Sequence, residues 1–286
     1  MQQFRGTARM AMTVMTKTMA TLALLLPAFS GAAIEESLAK QIYSESSTRQ
    51  QLESVASQVP ADVRGVAEES QRRLPVAATD MEAAARRAYA TEAMEKTVIA
   101  EMKSQLQPAE AQEILAWFTS PLGRKFTALV ITAGEPGEQA KLQQFAQAIS
   151  NNPPPEDRLA LMESLQTCQR LTEGATQLLL NMHSAAGVAL LDNPLDENAL
   201  RGVRASLEEE RPRLTAEVGA LMLVLLTYSY RDVSNEDVQQ YVTFCNSPAG
   251  GSYYRTMVSA FDRALRNAQT SLAQELAALN KGAIDK

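Results

Sequence analysis

The residues able to do chemistry are few and scattered. His183 is the only histidine in the 286-residue chain. Zinc sites usually draw on several His and Cys residues, and the sequence holds neither a CxxC nor an HExxH pattern, so no metal is expected. His183 follows Met182 on a stretch with helical patterning, which suits a satisfied or surface imidazole better than a catalytic one. Ser37-Leu38-Ala39-Lys40 matches the SxxK of acyl-serine enzymes, yet no SDN or KTG partner follows it. No GxSxG elbow and no glycine-rich phosphate loop occurs, so neither an activated serine nor a nucleotide cofactor is indicated. Asp192, Asn193, Asp196 and Glu197 resemble a calcium loop in composition, but Pro194 takes the third position and the glycine and terminal acid are misplaced; helix capping explains the cluster more simply. Glu208-Glu209-Glu210 before Arg211 and Arg213 reads as a solvated face with local ion pairs. With 33 acidic residues, a carboxylate pair for glycosidic cleavage stays open as a minority reading, but nothing marks one pair out. No catalytic residue and no cofactor is assigned.

Two groups of residues remain. Five of the seven tyrosines fall between Tyr228 and Tyr254. Tyr228, Tyr241, Phe244, Tyr253 and Met257 are the candidate lining of a groove for an amphipathic ligand or a partner helix; the plainer alternative is a tyrosine-rich corner that packs with its hydroxyls facing water. The second group is the cysteine pair, Cys168 and Cys245. Cys245 lies on an apolar helical stripe, where a small buried thiol fits, and a Cys168–Cys245 disulfide is the other possibility in an oxidising compartment.

Behind these residues lies a repeated helical pattern. Val238, Tyr241, Val242 and Cys245 recur at i, i+3, i+4 and i+7, one apolar face of an α-helix. Earlier by 127 positions, Ala111, Ile114, Leu115 and Phe118 form the same face. Each face is followed by the same break: Ser120-Pro121-Leu122-Gly123 in the first stretch and Ser247-Pro248-Ala249-Gly250 in the second. A serine hydroxyl caps a helix start, and proline suits the first helical position, where no N–H is required. Each Ser-Pro therefore ends one helix and starts another. Gly123 and Gly250 cost helix propensity, which suggests that a neighbouring backbone or ring comes close there. Few residues are identical between 106–130 and 233–257, but the shared face and shared break point to a duplicated helix-corner-helix unit.

The second unit resembles the bacterial DUF2059 family through Asn235-Glu236-Asp237, Phe244, Asn246-Ser247-Pro248-Ala249-Gly250 and Tyr253. Gly251 and Ser252 depart from the polar pair expected after the glycine. Trp117, Ser120-Pro121-Leu122-Gly123-Arg124-Lys125 and Phe126 carry a weaker likeness in the first. The resemblance implies an exported, helical bacterial protein and brings no established activity or catalytic residues.

The amino terminus agrees with export. Residues 1–33 read as a secretory signal: Arg5, Arg9 and Lys17, an apolar stretch from Met19 to Phe29, then Ser30-Gly31-Ala32-Ala33. Its removal shifts the formal charge from −6 to −9, because it holds three cations and no acid. Such a balance repels phosphate backbones and argues against general nucleic-acid binding. The only other long apolar run, Ala220–Thr227, is far short of the roughly 20 residues that cross a bilayer; it is expected to be a fully buried core helix, with no integral membrane span after signal removal.

Helix formers dominate, aromatics are only 5 %, and no strand alternation occurs, so the fold expected is an all-α bundle of two related halves. Residues 34–150 form the first half and 151–155, a Pro-rich connector, lead to the second at 156–286. In the first half one helix is expected over Ile34–Val59 with Pro60 as its stop, a short one over Val63–Arg73, and one long helix from Asp80 to about Gln105. In the second, helices are expected near 156–172, 174–191 and 195–210, and Pro212 is expected to open the helix that ends near Tyr230. The reading is a periplasmic or secreted, non-enzymatic envelope protein with an interaction or structural role. The alternatives are a carrier of small amphipathic ligands and a carboxylate hydrolase of an envelope substrate. The partner is an unidentified envelope protein or such a ligand.

Overall fold

The computed structural model describes residues 33–70 and 74–284. The signal expected at 1–33 therefore lies outside the described residues except for Ala33. In chain order the helices are α1 (Glu36–Glu45), α2 (Thr48–Glu69), α3 (Ala78–Ala88), α4 (Thr91–Gln105), α5 (Pro108–Thr119), α6 (Pro121–Ala133), a 3-10 turn (Pro136–Glu138), α7 (Gln139–Asn151), α8 (Glu156–Cys168), α9 (Leu171–Ala189), α10 (Glu197–Ser229), α11 (Asn235–Asn246) and α12 (Pro248–Ile284). The described residues contain no strand, so the all-α expectation holds. No described helix is long and apolar enough to cross a membrane.

Four helix boundaries differ from the sequence reading. The helix expected over 34–59 is broken at Ser46–Ser47, where the Ser46 hydroxyl bonds the Tyr43 carbonyl and the Thr48 hydroxyl at 3.3 and 2.7 Å. Serine offers the backbone a partner outside the helix ladder. Pro60 then fails to stop α2, because Leu52, Val55, Val59, Val63 and Ala67 share one buried face across it, and that burial offsets the lost hydrogen bond. The long helix from Asp80 is instead two, α3 and α4, which turn at Tyr89–Ala90. The turn lets Met81, Ala84, Ala85 and Ala88 pack beside α2 and lets Met94, Val98 and Met102 pack on α12. Pro212 likewise sits inside α10 rather than at its start. Asp196 caps that helix by accepting from Asn198 and Ala199 N–H groups at 2.8 and 3.0 Å.

The apolar run Ala220–Thr227 corrects a further expectation. It is helical but not fully buried: Leu221 is 52 % exposed, Met222 to Leu225 are half-buried, and only Leu226 and Thr227 are enclosed. The helix α10 that carries the run packs chiefly on α9 and less on α8, α6 and α7.

Residues from Ala33 onward form one compact unit with two apolar clusters. The larger joins Ile42, Val59, Met94, Met102, Ile114 and Phe118 to Ala185, Tyr253, Leu265, Leu272 and Leu276. The smaller surrounds Met162, Leu165, Tyr230, Val238 and Tyr241 and draws Phe126 in from α6. Each cluster therefore mixes residues from before and after the 151–155 connector. The long helix α12 carries much of this traffic, packing on α3, α4, α5, α9 and α11.

Candidate functional site

The two Ser-Pro-x-Gly corners are built alike. Ser120 leaves α5 with φ −66° and ψ 155°, and Ser247 leaves α11 with φ −68° and ψ 162°. The Ser120 hydroxyl accepts from the Gly123 N–H at 3.0 Å, and the Ser247 hydroxyl accepts from the Gly250 N–H at 3.1 Å. Pro121 and Pro248 are each the first residue of the next helix. The glycines are explained by backbone proximity. A Cβ on Gly123 would lie 2.0 Å from the Trp117 carbonyl oxygen, and one on Gly250 would lie 2.1 Å from that of Phe244. The new helix thus begins against the last turn of the old one, closer than any side chain allows.

The corners meet through their rings. Trp117 stacks on Phe244 with centroids 4.6 Å apart and planes 6° apart, and on Tyr241 at 5.1 Å. Phe118 meets Tyr253 edge-on at 5.0 Å. Phe126 contacts Tyr241 at 4.6 Å and Tyr230 at 4.8 Å. The Tyr241 and Tyr254 hydroxyls are hydrogen-bonded at 2.7 Å, which satisfies two polar tips inside an apolar setting. Trp117, Phe244 and Tyr254 each pack against both apolar clusters, so this junction is the seam between them. Lys125 and Asp237 form a 2.8 Å ion pair that bridges α6 and α11 beside it.

Of the five candidate lining residues, the structure brings Tyr241, Phe244 and Tyr253 together. Met257 lies one turn beyond Tyr253 and is buried in the larger cluster. Tyr228 is elsewhere: its ring meets Phe145 of α7 at 5.3 Å, the Arg231 guanidinium sits 4.2 Å over it, and its hydroxyl donates to Glu138. At the junction the ring faces are occupied by one another. Burial pushes the Tyr230 and Tyr241 phenols well above their ordinary value, because a phenolate has no water or cation to stabilise it there. They are neutral packing groups with a hydrogen-bonding end.

Cys168 and Cys245 are joined in a disulfide, with Cα atoms 5.7 Å apart. It ties the end of α8 to α11 two residues before the corner serine. Arg158, also from α8, is buried and donates to the Tyr230 carbonyl and, at 2.9 Å, to the Asn235 side-chain oxygen. It satisfies a carbonyl at the end of α10. Sequence reading missed Arg158, whose partners lie over 70 positions away. Trp117, Phe118, Phe126 and Tyr254 were missed as ring partners, although the 127-residue offset pairs Trp117 with Phe244 and Phe126 with Tyr253.

The remaining candidates have ordinary roles. His183 is exposed on α9, and Ser37 and Lys40 are exposed on α1. Glu208 pairs with Arg211 at 2.5 Å and Glu210 with Arg213 at 2.8 Å, both one turn apart on α10. Among the described residues no three His, Cys, Asp or Glu side chains are grouped to hold a metal ion.

No curated protein and no solved structure matches the chain. A family model does match, over residues 92–151, and its description is an uncharacterized protein conserved in bacteria, DUF2059. The match falls on the first corner and its flanking helices, whereas the motif residues had given the second corner the clearer likeness. From α4 through the Ser120 corner to the end of α7, the chain is similar to the DUF2059 family model.

Proposed function

We propose that this is an exported, non-enzymatic protein of the bacterial envelope, acting as a rigid scaffold that engages partners through its outer surface. One observation carries the reading: the aromatic junction between the corners is closed by packing and clamped by the Cys168–Cys245 disulfide. A disulfide suits an oxidising compartment, and ring faces that contact each other suit a fixed shape. The reading of residues 1–33 as a signal supports export, and the DUF2059 match supports a bacterial source. The twin corners, with their equal backbone angles and equal serine-to-glycine hydrogen bonds, support a duplicated unit as the origin of the scaffold.

Cell fractionation combined with thiol alkylation tests the export step. The expected result is a shortened chain in the periplasm or medium whose cysteines alkylate only after reduction. A cytosolic chain with two reactive thiols overturns it. For the role itself, the tagged chain is captured from the native envelope and both proteins and lipids are identified. A stoichiometric envelope partner is expected. Turnover of an envelope substrate that is lost on changing one acid or tyrosine overturns the non-enzymatic reading.

A further inference from the structure

Helix α7 differs from every other long element in its burial. None of its thirteen residues is buried. Leu142, Phe145, Ala146 and Ile149 form one apolar stripe at helical spacing, and all four are only half-covered. The helix rests on α10, the same helix whose Leu221 is 52 % exposed. Leu221, Leu225 and Tyr228 lie at i, i+4 and i+7 on α10, and Phe145 touches the last of them. Two incompletely covered apolar strips therefore share one helix pair at the rim.

Both ends of α7 are marked off from the neighbouring helices. Gly134-Glu135-Pro136-Gly137 precedes it, and Asn152 followed by Pro153-Pro154-Pro155 comes after. After the matching corner, α12 runs on for 37 residues, whereas α6 stops after 13. The contacts that fasten α7 converge on Tyr228 of α10: its hydroxyl donates to Glu138, just before the helix, and its ring meets Phe145 at mid-helix. An element with few buried contacts and one polar fastening has a low opening free energy relative to the core.

We propose that α7 is a hinged strap. It swings away from α10 as a unit about the two turns while the rest of the chain stays folded. Opening uncovers the Tyr228 ring, which Phe145 covers, together with the contact face of the strap's own Leu142, Phe145 and Ile149. The apolar surface already part-exposed at Leu221 is thereby enlarged in the opened state.

Hydrogen–deuterium exchange on the oxidised full chain, read by mass spectrometry, tests this. Peptides within 139–151 should exchange at least about tenfold faster than those within 108–119 and 248–279, yet remain protected relative to an unfolded chain. Tyr228→Phe removes the hydroxyl but keeps the ring, and Phe145→Ala removes the ring contact from a half-exposed site. Each should speed exchange in 139–151 several-fold and leave 108–119 unchanged. Equal rates across these segments overturn the proposal, because α7 would then open only with the whole fold. Absence of protection in 139–151 at the earliest time also overturns it, since no docked state would exist. So does an equal effect of both variants on all segments.

Discussion

Trp117 and Phe244 lie face on face, 4.6 Å between centroids, and each is the third residue before its corner serine. Residues at matching places in two stretches 127 positions apart thus touch each other. Because both also pack against the two apolar clusters, the stack couples one core to the other. Trp117→Ala and Phe244→Ala should each destabilise the fold by about 2–4 kcal/mol, somewhat below the loss for a fully buried ring. The double variant should fall short of the sum by roughly 0.5–1.5 kcal/mol, the coupling typical of an aromatic pair. Denaturant unfolding of the four proteins measures both quantities, and strict additivity would mean that the stack contributes no coupling.

The corner glycines give a sharper contrast. Gly123→Ala and Gly250→Ala place a methyl about 2 Å from a carbonyl oxygen, and backbone, unlike a flexible side chain, has little room to yield. Each should cost on the order of 1–3 kcal/mol, the range for overpacking. Gly65 also lies inside a helix, but nothing stands within 4 Å of its Cβ position. Gly65→Ala should therefore stabilise by about 0.5–1 kcal/mol through helix propensity and lost chain entropy. Melting curves for the three variants decide the matter, since helix propensity alone would move all three in the same direction.

These corners also show what could be read in advance. The serine, proline and glycine were legible because capping and φ preference act within three residues, and the 3.6-residue stripes were legible for the same local reason. Pro60 misled because burial on a distant partner decides whether a helix survives a proline; Pro212 sits among exposed and half-buried residues of α10, and burial does not explain its place. The break at Tyr89 was hidden because it answers to two separate packing surfaces, on α2 and on α12. Tyr228 was grouped with Tyr241 and Tyr253 by proximity in sequence, yet α10 carries it to α7 instead. The partner of Cys168 was one of two open readings, since spacing in sequence says nothing about the 5.7 Å that separates its Cα from that of Cys245.

The disulfide spans a sequence separation of 77 residues. On the chain-entropy model such a loop restricts the unfolded chain by an amount near 4 kcal/mol. Without the bridge, α8 is still held by Met162 and Leu165 in the smaller cluster and by Arg158 on the Tyr230 carbonyl. The double variant Cys168→Ser, Cys245→Ala should fold, with a melting temperature lower by several degrees and an unchanged far-ultraviolet circular dichroism spectrum. Reduction of the native chain should lower its melting point in the same direction, and should leave the double variant unaffected.

A single carboxylate offers a pH test. Glu36 on α1 pairs with Lys40 at 2.8 Å and with Lys103 of α4 at 3.1 Å. Hydrogen bonds from Lys40 and then Lys103 lower its pKa from the ordinary value of 4.5 to about 2. A folded-state pKa below the unfolded one means that the unfolded chain binds the proton more readily. The contribution is therefore complete above about pH 4.5, declines as the pH falls, and is gone below about pH 2. The side chain is exposed, so the effect is small and weakens further with salt. Glu36→Gln should flatten the fall in urea midpoint between pH 4.5 and 2 relative to the parent chain, and 0.5 M salt should shrink the difference between them. Lys103→Met should reproduce part of the flattening, because it removes the contact to α4 while Lys40 still holds Glu36 within its own helix. If Glu36→Gln follows the parent curve over that range, the pair contributes nothing to folding, and α1 is held by its buried face of Ala39, Ile42 and Tyr43.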